Sequence, residues 1–178
     1  MGNTRKSIDV RKLAYTAILT AIVVVLQLIP IKIGTFELAL SVPVIIIGAA
    51  LCGIGTGAWL GFVFGAVVLM LPGTAAFLSF SPVGTVLTVL CKGVLSGIVA
   101  AFVLLLFEKK NRYFALGFSA VMATVTNTGV FLIGSLLFFE ANIAYVVSVF
   151  ISFNFLIELA INLVLVPTVF RIINIKKR

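Results

Sequence analysis

Residues 83–107, VGTVLTVLCKGVLSGIVAAFVLLLF, hold one charged side chain, Lys92, in an otherwise apolar run. About 20 such residues suffice to cross the hydrocarbon core of a bilayer, so this stretch reads as a transmembrane helix. The rest of the chain has the same character. Of its 178 residues 62% are hydrophobic and 10% charged, and the mean hydropathy is +1.32. No soluble fold could hide that much apolar surface, so the solvent is lipid. Working outward from 83–107, apolar runs fall at about 13–31, 38–53, 56–71, 114–139 and 145–173. The expectation is therefore an all-α integral membrane protein, a single domain over 1–178 built as a bundle of six transmembrane helices. Pro30 closes the first run, and Lys32 and Glu37 mark a polar turn after it. GIGTG at 53–57 is the natural tight turn between the second and third runs, which are both short. PGTAAFLSFSP at 72–82 reads as a loop bounded by prolines.

The net charge of +8 sits at the ends of apolar runs and forms no patch of the kind that binds nucleic acid. Placing the N-terminus in the cytoplasm puts Arg5, Lys6, Arg11, Lys12, Lys109, Lys110, Arg112, Arg171, Lys176, Lys177 and Arg178 on the cytoplasmic side, leaving Lys32 outside. The positive-inside rule therefore places both termini in the cytoplasm. The polar lead before the first run has no small-residue cleavage site after it and is expected to be retained. The start MGNTRKS also meets the loose myristoylation pattern.

Lys92 and Glu158 are the charged side chains deep within the runs, and an ionisable group there costs several kcal/mol unless paired or hydrated. They form either a structural ion pair between the fourth and sixth spans or part of a site, in which Lys92 attracts an anionic ligand and Glu158 orients it or accepts from a ligand hydroxyl. Asn154, Glu158 and Asn162 recur every four residues and share one helix face, and Asn127 lies in the fifth span. Such a polar stripe turns inward in lipid, to bond helices together or to line a site. Thr124, Thr126 and Thr128 are expected to satisfy backbone carbonyls. Gly57, Gly61 and Gly65, with Gly93 and Gly97, make smooth faces for close helix packing, whereas Ala17 and Ala21 on the first span are placed to meet another membrane subunit. Cys52 and Cys91 are isolated, with no histidine in the chain to complete a metal site, and read as packing residues. HExxH, GxSxG and the P-loop are all missing, so the chain reads as a binder or a passage and not an enzyme.

Taken together, these residues resemble the substrate-binding S components of energy-coupling factor (ECF) vitamin transporters. The likeness rests on LAYTAILTAIVVVLQ at 13–27, with Ala17 and Ala21 as an AxxxA-like motif, and on LSVPVIIIGAALCGIGTGAWLGFVFG at 40–65. More specific are CKGVLSGIVA at 91–100, TNTGVFLIG at 126–134 and NFLIELAINLVLVP at 154–167, which look like the pantothenate-type branch. That branch usually carries arginine where this chain has Lys92, a change that keeps the charge and loses the guanidinium fork.

The resemblance implies a multi-pass subunit of a bacterial cell membrane that captures a vitamin outside. It delivers the vitamin with a transmembrane scaffold (T) subunit and two ATPases; ATP is used by those partners, and the chain needs no cofactor of its own. Ala17 and Ala21 would face the scaffold, and segments 32–37 and 72–82 would cover the ligand. Pantothenate, with a carboxylate, hydroxyls, an amide and a gem-dimethyl group, suits Lys92, the asparagines and an apolar wall of Phe77, Phe80 and Phe131. Riboflavin or another vitamin remains an alternative, as does a self-contained carrier, although no repeat or continuous polar path supports the latter.

Overall fold

The computed structural model of the chain describes residues 10–29, 31–33, 36–38, 40–109, 111–138 and 141–175, without the side chains of 31–38, 141–153 and 173–175. The myristoylation-like lead, the basic tail at 176–178, Lys110 and Glu140 lie outside the described residues. Among the described residues, seven helices follow in chain order: α1 (Val10–Leu28), α2 (Ser41–Cys52), α3 (Ile54–Met70), α4 (Pro72–Phe80), α5 (Pro82–Phe107), α6 (Arg112–Phe138) and α7 (Ala141–Ile175). Between α1 and α2 a hairpin of β1 (Ile31–Ile33) and β2 (Phe36–Leu38) pairs Lys32 with Glu37 in antiparallel register.

Among the described residues, four stretches are long and apolar enough to cross a membrane: Val10–Leu28, Pro82–Phe107, Arg112–Phe138 and Asn154–Ile172. A fifth arises if α3 and α4, bent by 82° at their junction, count as one broken span. The expectation of six spans is therefore met by length for only four or five. The reason is α2, whose 12 residues rise about 18 Å, well short of the roughly 30 Å hydrocarbon core. Gly53 makes the tight turn after it with φ +93°, a conformation natural to glycine, and its N–H donates to Ala49 O at 2.9 Å.

Residues 72–80, expected as a loop, are the helix α4. Pro72 stands in its first turn, where the missing N–H would have had no intrahelical partner and the fixed φ already suits a helix. The Thr74 hydroxyl donates back to Val68 O at 2.7 Å, tying this first turn to the end of α3.

The glycines unite α3 and α5. A methyl built on Gly57 would lie 2.6 Å from Gly97 O, one on Gly65 2.9 Å from Val89 O, and one on Gly61 would strike the Gly93 carbonyl. The two helices thus run antiparallel with their backbones in contact over two turns, as small-xxx-small faces allow. Toward the end that carries Arg112 and Arg171, the bundle is filled by Val42, Ile46, Ala100, Leu104, Ala115, Leu116, Ala120, Val166 and Phe170. A second cluster, Val23, Ile45, Leu60 and Phe64, fastens α1 to α2 and α3. Two side-chain bonds, Thr16 Oγ1 to Thr56 Oγ1 at 3.1 Å and Trp59 Nε1 donating to Thr20 Oγ1 at 3.1 Å, fix the rotation of α1 about its axis. Its opposite face, with Ala17, Ala21, Ile18, Val25 and Leu28, is exposed. Cys52 is half-buried, but Cys91, expected as a packing residue, is exposed because its face of α5 turns away from the glycine seam.

Candidate functional site

Away from the alanine-rich half of the core, the bundle turns polar. The change begins with Asn162 on α7, 2% exposed, whose Nδ2 donates to Thr124 Oγ1 on α6 at 2.8 Å. Thr124 donates in turn to Ala120 O at 2.8 Å, so both side chains are committed to holding α6 against α7. This bond fixes the antiparallel register of the two helices. One turn further along, Asn127 of α6 comes level with Glu158 of α7, and one more turn brings Phe131 level with Asn154.

Lys92 lies ten residues after Pro82, about 15 Å along α5. Its Nζ stands 4.6 Å from the Phe131 ring centroid and 5.7 Å from that of Phe64 on α3, so the ammonium is held between two aromatic faces. Glu158, 8% exposed, attracts Lys92 electrostatically and accepts a hydrogen bond from Asn154 Nδ2 at 3.0 Å. Two buried polar atoms in this layer have no partner among the described residues: Asn127 Nδ2, a donor, and Asn154 Oδ1, an acceptor. Buried amide atoms nearly always find partners, because a lost hydrogen bond there costs about 1–3 kcal/mol. Phe77 reaches in from α4, edge-on to Phe131, with centroids 5.9 Å apart at 88°.

Of the residues expected to bind ligand, the structure therefore brings together Lys92, Asn127, Phe131, Asn154, Glu158 and Phe77. Asn162 sits one turn below them, occupied by Thr124. Phe80 is apart, 58% exposed at the last residue of α4, where the helix ends before Ser81. Phe64 was not foreseen. Its only sequence signal is an aromatic set between Gly61 and Gly65 on the face that meets α5. A separate apolar groove of about 410 Å³ runs between α6 and α7, lined by Val125, Thr128, Gly129, Leu132, Phe155 and Leu156, and contains none of these candidates. Among the described residues, no group of three or more His, Cys, Asp or Glu side chains is placed to hold a metal ion.

The layer offers a cation, a carboxylate, a free amide donor, a free amide acceptor and three aromatic rings. Such a set can hold a small polar molecule with an acidic group and hydrogen-bond donors, its apolar parts against the rings. A sequence model of the family described as ECF transporter, substrate-specific component, matches residues 11–170 of the chain. No curated protein and no solved structure matches it.

Proposed function

The chain belongs to the substrate-specific components of ECF transporters, and on that premise we propose that it captures a water-soluble vitamin, pantothenate before others, at the layer around Lys92. The observation that carries this reading is the convergence of Lys92, held between Phe64 and Phe131, with the unpaired amide atoms of Asn127 and Asn154 and the Glu158 carboxylate. A pantothenate carboxylate would pair with Lys92. Its hydroxyls and amide N–H would donate to Glu158 and Asn154 Oδ1, and its amide carbonyl would accept from Asn127 Nδ2.

In this reading the end bearing Arg11, Lys12, Lys109, Arg112 and Arg171 is cytoplasmic by the positive-inside rule, with both termini there. Lys92 then lies toward the outside, below the hairpin and α4, which cover the ligand. The exposed Ala17 and Ala21 face of α1 receives the scaffold subunit. Two ATPases supply the energy, and this chain needs no cofactor of its own.

Titration of the purified chain with a panel of B vitamins by calorimetry tests the proposal. Tight one-to-one binding of pantothenate supports it, and a folded sample that ignores pantothenate refutes it. The three rings Phe64, Phe77 and Phe131 favour riboflavin as the second reading, since a flat heterocycle stacks on such surfaces. Uptake into liposomes by the chain alone would instead support a self-contained carrier.

A further inference from the structure

One ring, Phe131, serves two contacts that belong to different parts of the molecule. Its face receives the Lys92 ammonium at 4.6 Å, inside the bundle. The same ring meets Phe77 at 5.9 Å and 88°, and Phe77 belongs to α4, which crosses the end of the bundle at 82° to α3. Thr74 is the buried residue of α4, and most of the remainder of that helix is exposed. Polar contacts fix its two ends: Thr74 Oγ1 donates to Val68 O at the start, and Thr85 Oγ1 donates to Phe77 O at 2.9 Å near the finish. Toward α6, the Phe77 ring is its described anchor.

An aromatic ring on two hinging bonds cannot follow one partner without changing its angle to the other. Cation–π attraction requires the ammonium over the ring face, and an edge-on pair requires its own defined angle. We propose that Phe131 is a positioning residue that couples the Lys92 ammonium to the docking of α4, so that an anion drawing the ammonium off the ring also changes the seating of α4. The ligand half of this coupling rests on Lys92 being the anchor for an acidic vitamin. The mechanical half, from Lys92 through Phe131 to α4, does not.

Backbone hydrogen exchange of residues 73–80 reads the coupling directly in the full chain, reconstituted in detergent. Removing the cation with Lys92→Met is expected to speed exchange in α4 by about threefold or more, in keeping with the lower end of cation–π strengths. Lys92→Arg, which keeps a cation over the ring, restores the slow exchange. In a Phe131→Leu background, where α4 is already loosened and the charge pair with Glu158 is intact, Lys92→Met produces no further change. Equal effects of Lys92→Met in both backgrounds, or no effect in either, overturn the proposal.

Phe131→Leu alone keeps the test decisive if Lys92→Met does not fold. It should speed exchange in α4 while leaving the α3–α5 glycine seam protected, and unchanged exchange in α4 overturns the coupling. Saturating pantothenate then tests the ligand half. The α4 exchange rate should shift in the natural chain and not in Phe131→Leu. A shift of the same size in both refutes the coupling, whereas absence of binding to either refutes the vitamin assignment and leaves the substitution cycle to decide the coupling.

Discussion

Adding a single methyl group at Gly61 should separate α3 from α5. The Cβ of Gly61→Ala would overlap the Gly93 carbonyl oxygen, lying 2.6 Å from Gly93 C and 3.1 Å from Val94 N. Carbon atoms in ordinary contact stand about 3.5–4.0 Å apart, so the backbones must part by about 1 Å. No rotamer change can relieve the clash, because all three atoms belong to backbone. Alanine gains up to about 1 kcal/mol in helix propensity over glycine. Against that, overpacking costs about 1–3 kcal/mol, and a gap of that width forfeits a quarter to a half of each dispersion contact along the seam. The expected net loss is about 2 kcal/mol, roughly thirtyfold in the folding equilibrium. Reversible unfolding in mixed detergent micelles, followed by circular dichroism, measures it. Gly117→Ala and Gly129→Ala serve as controls, since a methyl at either position meets nothing within 4 Å. They should be neutral or slightly stabilising. A Gly61→Ala protein as stable as the Gly117→Ala control would refute the backbone seam as the joint between these helices.

Lys92→Ala is expected to lower affinity for an acidic vitamin by at least tenfold to a hundredfold, the worth of a charge-assisted hydrogen bond, with helical content unchanged; calorimetry and circular dichroism check the two halves. If Lys92 and Glu158 were instead only a structural pair, each truncation would destabilise the protein and their joint replacement would partly restore it. Asn162→Ala should reduce stability by about 0.6–1.7 kcal/mol through loss of the bond to Thr124, with ligand affinity retained in the folded fraction. Replacing Ala17 and Ala21 together by leucine should leave vitamin binding intact and abolish ATP-dependent uptake by the assembled transporter, measured in proteoliposomes.

Much of this protein was legible in its sequence. Long apolar runs with few charges mark the helices at 10–28, 82–107 and 112–138, since a helix in lipid satisfies its own backbone and needs no partner to be recognised. The four-residue spacing of Asn154, Glu158 and Asn162 fixed a shared face of α7, and the glycine spacing fixed smooth faces of α3 and α5, because helical periodicity is a local property. Gly53 marked its own turn.

Tertiary structure decided which faces meet and what each polar group does. Spacing alone leaves Asn162 equivalent to Asn154, yet the α6–α7 register gives Asn162 to Thr124 and leaves Asn154 beside Glu158 with an unpaired oxygen. The role of Phe64 depends on the α3–α5 seam, which carries an unremarkable aromatic to within 5.7 Å of a lysine 28 positions further along the chain. Pro72 gives the same local signal in a loop as in the first turn of a helix, and the return bond from Thr74 to Val68 favours the helix. The division follows from the physics: periodicity and hydropathy act along one segment, whereas hydrogen-bond partners, ring contacts and burial are set by distances between segments that only packing brings together.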